Sequence, residues 1–493
     1  MLIAMCSAEA VPFAKTGGLA DVAGALPAAL KEQGLQCIVF MPFYKTIFGG
    51  RFDFNLVCSG LNVTMNEDEE EFYDLLKAEY RGITFYFIKN DKFFDRKYVY
   101  GTPRGDYKDN PKRFCFFSKA IIYALEELGL SPDIIHLNDY HCALVSVFLH
   151  QIRQEGRPEA GLFRQTSTVF TIHNLAYQGI FEPRMLDYCG LGPKYFTVEG
   201  LEFYRKINLI KGGIVFSDKI TTVSPAYAKE ILTPEYGEGL DGVLRARKGD
   251  LAGIVNGIDY QSWDPKSDKN LCENYNDADL KGKRSCKAEL VKNCFSVKKN
   301  KPPLIGMISR LSEQKGMELV AEAMESIVGL GFHIIILGTG DEKYHRLFKL
   351  LHEKYKGSFK LEIGYSDRLA RFIYAGCDIF LMPSKYEPCG LGQLISLRYG
   401  TIPVVRDTGG LSDTIKDIKD RDDIAEGGTG FKFAGYSSLQ MLEALKRARS
   451  FYEDKRLWKK IIKNGMKQDF SWKSSAISYK KLYLGLKDGQ KNK

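Results

Sequence analysis

FAKTGGLADVAGAL, Phe13 to Leu26, sets one lysine and two glycines between an apolar stretch and a run of small residues with helical spacing. The preceding MLIAMCSA can be buried on both faces, as a parallel strand is, and DVAGALPAALKEQG keeps a helical period up to a stop at Gly34. The local unit is therefore strand, glycine loop, helix. Such a junction directs backbone N–H groups and the positive end of a helix outward, so Lys15, Gly17 and Gly18 form a candidate anion site suited to a phosphate. The loop matches neither GxxxxGK[ST] nor GxGxxG, and alone it also fits a plain tight turn with a solvated lysine.

Outward from this unit the alternation repeats. LIAMCSA, CIVFMPF, TFYFI, DIIHLND, TVFTIHN and KITTVS in the first half, and PLIGMIS, HIIILG, DIFLMP and IPVVRD in the second, are short apolar runs between helical patterns. Buried parallel strands with crossover helices read this way, so the expected class is α/β with two Rossmann-like doubly wound domains. A length of 493 residues, more than one core usually serves, agrees. The Asn/Asp/Gly-rich tract IVNGIDYQSWDPKSDKNLCENYNDADLKGK breaks the rhythm and sets the boundary between domains at 1–253 and 254–469. By composition, NEDEEEF at 66–72 and YGTPRGDYKDNPKR at 100–113 read as mobile surface loops. TGGLAD at 16–21 returns as TGGLSD at 408–413, each after a predicted strand. Two such domains facing across a cleft would place both loops where sheets of this kind bind ligands, although six residues can recur by chance.

The formal charge of +9 is an excess over a large acidic count and is expected to be dispersed, which suits a polyanionic small molecule better than nucleic acid. No apolar run approaches the roughly 20 residues of a membrane span. Met1 leads straight into the first strand without a signal or transit pattern, and the eleven cysteines form no CxxC, so reduced thiols in a cytoplasmic protein are expected. The seven histidines form no HxxxH or HExxH pair, and His136 and His141 are badly spaced for a helical ligand pair, so no metal site is assigned.

Other stretches carry chemistry. In SRLSEQKG, Arg310 and Lys315 follow a strand on a loop leading to a helix and could converge on one diphosphate, or be two solvated cations. In FLMPSKYEPCGLGQL, Glu387 sits in a loop after a strand, and Cys389, Gly390, Leu391 and Gly392 open a helix whose glycines let a ligand reach backbone N–H groups. A carboxylate there could bind sugar hydroxyls, or merely suit a helix N-terminus. FTIHNLAYQG places His173 and Asn174 at the end of a buried strand, where a lone histidine is more often structural than catalytic.

Together, KTGGLADVAGALPAAL, HLNDYH, FTIHNLAYQG, VNGID, SRLSEQKG, PSKYEPCGLGQL and DTGGLSD, in this order, resemble the bacterial glycogen synthase and plant starch synthase family of retaining glucosyltransferases. The resemblance spans nearly the whole chain. It implies a GT-B fold, with the acceptor glucan on the first domain, the nucleotide sugar on the second, and a last helix at about 470–493 returning to the first. It implies ADP-glucose as donor, an α-1,4-glucan end as acceptor, and no cofactor or metal. By position, Lys15 would meet the donor diphosphate or glucose, with Asp21 in the same motif; Arg310 and Lys315 the diphosphate; Glu387 the glucose ring; and His173 the reaction centre. Asp139 and Asn256 would be lesser contacts, and Tyr365 in LEIGYSD would stack on adenine.

The chain departs from the pattern at Ile395, where many relatives of this fold have a second glutamate, and at Gly392, where threonine is usual. Retention normally points to a carboxylate nucleophile, and no second carboxylate lies in these motifs. The resemblance implies front-face departure and attack through an oxocarbenium-like pair, the leaving diphosphate taking the acceptor proton. Lys15, Arg310 and Lys315 would stabilise charge on that leaving group. Cys389 lacks a visible activating base and reads as structural. A related transferase using UDP-glucose or a small acceptor, and a silent glucan-binding scaffold, are the competing readings. A redox Rossmann enzyme lacks its fingerprint.

Overall fold

Every apolar run named above becomes a strand of one of two sheets. The computed structural model describes residues 1–47, 52–102, 104–295 and 302–491. The chain divides into two units, Met1–Asn256 with Trp472–Lys493, and Gly257–Ser471. The first is built on β1 (Leu2–Cys6), β2 (Gln36–Pro42), β3 (Asn55–Thr64), β4 (Glu70–Tyr80), β5 (Ile83–Lys89), β6 (Ile134–Asn138), β7 (Ser167–Ile172), β8 (Lys219–Thr222) and β9 (Leu251–Gly253). Their order is β9-β8-β7-β6-β1-β2-β5-β4-β3. From β9 to β5 all neighbours are parallel, with Ala4 of β1 opposite Ile135 on one side and Ile38 on the other. β4 and β3 extend the sheet antiparallel.

That antiparallel pair contains the tract expected to be a mobile acidic loop. Residues 66–69 form its turn, where Asn66 Oδ1 accepts from the N–H groups of Asp68 and Glu69, and the following glutamates begin β4. Buried Glu71, Tyr73 and Leu75 alternate there with exposed Glu70 and Phe72 and half-buried Asp74 and Leu76, the mark of a strand with one wet face. The 100–113 tract, apart from Pro103, which lies outside the described residues, is likewise held. Arg113 is fully buried and donates to Phe93 O, Val99 O and Asn110 Oδ1, while Asn110 Nδ2 donates to Tyr100 O. A buried guanidinium with its donors satisfied pins the segment, in contrast to the mobile loop expected.

The helix Gly18–Glu32 packs closely because Gly24 faces Val11, whose carbonyl oxygen would lie 2.3 Å from an added Cβ. It ends as expected at Gly34, which takes the left-handed conformation. The last helix, Trp472–Lys491, lies on it within the first unit: Lys480 Nζ donates to Gln33 O (2.6 Å), Tyr483 Oη meets His136 Nδ1 (2.7 Å) and Lys487 pairs with Asp133 (2.5 Å).

The second unit holds β10 (Leu304–Ile308), β11 (His333–Gly338), β12 (Phe359–Ile363), β13 (Ile379–Met382), β14 (Ile402–Arg406) and β15 (Phe431–Phe433), ordered β12-β11-β10-β13-β14-β15 and all parallel. The 265–300 tract, read from sequence only as a break in rhythm, supplies Leu271, Tyr275, Leu280 and Cys286 to this core, its residues 296–300 lying outside the described ones. Arg456, Lys459, Lys460 and Lys463 share one face of the helix Lys455–Met466, because Trp458, Ile461 and Ile462 on the other face are buried. No helix among the described residues is long and apolar enough to cross a membrane.

In each sheet the strand order reverses at one point, between β1 and β6 in the first unit and between β10 and β13 in the second. Loops leaving the carboxyl ends of those strands open over a crevice where sheets of this class bind ligands. Lys15 and Asp139 follow β1 and β6; Arg310 and Glu387 follow β10 and β13.

Candidate active site

In the first unit Lys15 is half exposed and ion-paired with Asp21 at 2.7 Å. The loop beneath it is held from inside by Glu9, a buried carboxylate on the segment after β1. Thr16 donates to Glu9 Oε2 through both N–H and Oγ1, the latter at 2.8 Å, and Gly17 N–H also reaches that carboxylate. The loop's N–H groups, expected to point outward, do not all do so: those of Thr16 and Gly17 satisfy a buried acceptor. The helix start at Gly18 has no side-chain cap. Burial raises the Glu9 pKa even against these hydrogen bonds.

Asp139 is buried at the mouth of β6 with φ 56° and ψ −177°, a region costly for a side-chain-bearing residue. Its Oδ1 accepts from His173 N at 2.8 Å, and Asn174 N–H reaches the same carboxylate. Burial, augmented by Glu9, pushes its pKa up to about 7. His173 Nε2 lies 2.8 Å from Asn138 Oδ1, while Asn138 Nδ2 donates to Cys6 O at 3.0 Å. That network makes Nε2 the protonated nitrogen of a neutral ring, and burial pulls the His173 pKa down to about 3. Lys15, Gly17, Gly18 and Asp21 thus share one loop and helix start, and Asp139, His173 and Asn174 share one hydrogen-bonded turn. Asn256 is buried, its Oδ1 without a hydrogen-bond partner among the described residues.

In the second unit one cavity of about 220 Å³ is lined by Arg310, Lys315, Ser384, Glu387, Gly390, Leu391 and Gly392. Glu387 is 6% exposed, and its Oε2 accepts from Lys315 Nζ at 2.5 Å and Ser384 Oγ at 3.0 Å. Gly392 leaves room for a neighbour: an added Cβ would lie 2.8 Å from the Phe380 ring. Two expected residues lie outside this lining. Cys389 is buried beneath Gly410, whose added Cβ would lie 2.1 Å from Cys389 O, so the TGGLSD loop braces the Glu387 loop. Tyr365 is 79% exposed, just after β12.

Sequence reasoning missed Glu9 and a group of buried polar atoms near it. Tyr100 Oη, Tyr44 Oη and His141 Nδ1 have no partner among the described residues. The Tyr100 ring stacks on His141 at 4.7 Å, and its hydroxyl pKa is raised by burial and further by Glu9 and Asp139. Burial also holds His141 neutral, well below its usual pKa. Glu9, an acid inside an otherwise apolar segment after a strand, was the available signal.

Residues 2–246 match the family model described as starch synthase catalytic domain, and residues 293–468 the model described as glycosyl transferases group 1. With two doubly wound units, each with polar residues at its strand-order reversal, this defines the class: a glycosyltransferase of GT-B fold. The chain is 43% identical over 483 residues to a glycogen synthase of Geotalea daltonii and 43% identical over 491 residues to one of Fervidobacterium nodosum, covering 98% of each chain in both cases. The catalytic domain of starch synthase IV from Arabidopsis thaliana, solved with ADP and acarbose, matches with TM-score 0.90 and 33% identity over 99% of each chain. The chain belongs to the glycogen and starch synthase family, and its activity is the elongation of glucan chains by glucosyl transfer.

Proposed function

We propose that the enzyme moves glucose from ADP-glucose to the end of an α-1,4-glucan with retention at the sugar carbon, releasing ADP, in the cytoplasm and without a metal or other cofactor. The observation that carries this reading is the Lys315–Glu387 pair inside the cavity of the second unit, with Arg310 on the same wall. A diphospho-sugar can split that pair without leaving a buried charge alone, its phosphates replacing Glu387 beside Lys315 and its glucose hydroxyls replacing Lys315 beside Glu387. Gly390, Leu391 and Gly392 offer backbone to the same ligand, and Tyr365 offers an exposed ring for adenine.

As the bond to the leaving diphosphate breaks, Arg310, Lys315 and Lys15 stabilise the charge gathering on its oxygens. His173 is neutral at physiological pH, so it serves as a hydrogen-bonding partner at the reaction centre and not as its acid. Asp139 orients the His173–Asn174 turn. The unpaired Tyr100 Oη and His141 Nδ1 are hydrogen-bonding capacity that acceptor hydroxyls would fill. Among the described residues no group of three or more His, Cys, Asp or Glu could hold a metal ion.

The test is transfer to glycogen from ADP-glucose and UDP-glucose, each with and without chelator. Turnover from ADP-glucose that survives chelation is expected. Equal or faster turnover from UDP-glucose would overturn the donor assignment, and loss with chelator the metal-free one.

A further inference from the structure

The tract Cys272–Asn274 lies in register against the helix Lys281–Cys294. An added Cβ on Gly282 would lie 2.5 Å from Asn274 O and 2.7 Å from Glu273 O, so backbone meets backbone there. One turn further on, Ser285 Oγ donates to Glu273 Oε2 at 2.5 Å. At the end of the same strip, Cys272 Sγ lies 3.5 Å from Cys286 Sγ. The tract is anchored on its far side as well: Tyr275 Oη donates to Tyr399 O at 2.8 Å, and buried Asp268 accepts from Tyr399 Oη at 2.6 Å and Arg371 Nη1 at 3.0 Å. Cys286 is fully buried, whereas Cys272 is exposed.

We propose that Cys272 and Cys286 are a redox modification site, a dithiol that closes to a reversible disulfide on exchange with a small-molecule disulfide and braces the 272–286 segment of the second unit. The exposed Cys272 thiolate attacks the reagent disulfide, forming a mixed disulfide and expelling one thiolate. The Cys286 thiolate then attacks Cys272 Sγ and expels the second. Overall two protein thiols and one disulfide give one protein disulfide and two small thiols, so the protein loses two hydrogens and the reagent gains them. Bond formation draws the sulfurs together by about 1.5 Å, to a separation of about 2 Å, which side-chain rotation can supply because the backbones are already in register.

Partial desolvation of its sulfur, with Glu289 and Cys286 alongside, holds the Cys272 thiol up to about 12, so attack near neutral pH is slow and the dithiol is the resting form. A second neighbouring pair, Cys115 with Cys189, is buried at both residues, so neither thiol can reach an external disulfide. Of these two pairs, Cys272–Cys286 is the one that presents a thiol to solvent.

The full chain is incubated with oxidised glutathione at mildly alkaline pH, free thiols are alkylated, and peptides are mapped by mass spectrometry before and after dithiothreitol. The expected product is a linked Cys272–Cys286 peptide, lighter by about 2 Da than the two thiol peptides together and reopened by dithiothreitol. Oxidation should raise the unfolding midpoint by roughly 5 °C, as closure of a short loop restrains the unfolded chain. C272S, altered at the exposed position, should fold normally, yield no link and show no shift. A persistent glutathione adduct on Cys272 with Cys286 still alkylatable, or linkage at Cys115–Cys189 in its place, would overturn the proposal.

Discussion

Lys15 and Arg310 are exposed side chains on the loops that follow β1 and β10. Lys15 is half exposed, and an exposed pair such as Lys15–Asp21 contributes little to stability. Arg310 is exposed at the carboxyl end of β10. If both act on the departing diphosphate, K15A and R310A should each lower turnover by on the order of 100- to 1000-fold while the unfolding midpoint stays put, as enzyme kinetics and a thermal melt together would show. Near-normal turnover in both would return them to the role of solvated cations. The titrating groups of the first unit make a separate prediction. His136 and His173 are pulled down to about 3, and Asp139 is pushed up to about 7. In the unfolded chain these groups titrate near about 6.5 and 3.9. As pH falls from about 6.5 towards 3, the unfolded histidines take up protons the native ones refuse, and stability is lost; from about 7 to 4, native Asp139 takes up a proton the unfolded one refuses, and offsets part of that loss. D139N should therefore lose its melting temperature more steeply than the parent between about pH 6.5 and 4, and parallel profiles would mean that Asp139 titrates as an ordinary carboxylate. The candidates the sequence offered, Lys15, Arg310, Lys315 and Glu387 among them, stand in contiguous motifs. Tyr100 and His141 were not legible there, because their meaning lies in unpaired atoms that segments far apart in sequence bring together, and Glu9 was not because its hold on Thr16 and Gly17 exists only once the loop folds over it.

At the scale of elements, the Gly392 position shows how a departure from a family pattern is absorbed. The Phe380 ring of β13 fills the space a side chain at 392 would need, and it packs on Tyr374, a wall of the cavity, at 5.0 Å. G392T should overpack this corner at a cost of about 1–3 kcal/mol, read as a lower midpoint in denaturant, and F380L in the same chain should recover most of it. If G392T alone leaves the midpoint unchanged, the ring is not what excludes a side chain there. The same element logic explains which parts of the fold could be read in advance. Strands such as LIAMCSA and HIIILG are buried on both faces and appear as unbroken apolar runs. β3 and β4 keep one face in water, and charges interrupt the apolar residues of β4, so NEDEEEF reads by composition as a loop. The tract at 100–113 was misread for the opposite reason: its polar residues are satisfied by buried partners around Arg113, which composition cannot reveal.

At the scale of the molecule, the chain leaves its first unit at Asn256 and returns to it at Trp472. The returning helix is part of that unit's core, with Trp472, Ala476, Tyr479 and Tyr483 buried. It also completes a polar chain through the sheet: Tyr483 Oη to His136 Nδ1 (2.7 Å), His136 Nε2 to Thr171 Oγ1 (2.6 Å), and Thr171 Oγ1 to Thr221 Oγ1 (2.6 Å). Ending the chain at Ser471 would strand His136 Nδ1, at a cost of about 1–3 kcal/mol for an unsatisfied buried group. It would also forgo about 1.5–3 kcal/mol for each large side chain no longer buried. The second unit, Gly257–Ser471, keeps its sheet, its Lys315–Glu387 pair and its Cys272–Cys286 strip. Calorimetry of the chain truncated after Ser471 should therefore show the transition of the first unit moved down by many degrees or lost, and that of the second nearly unmoved. The oxidation shift expected at Cys272–Cys286 should survive the truncation as well. A uniform fall of all the unfolding heat would show instead that the two units do not unfold as separate cores.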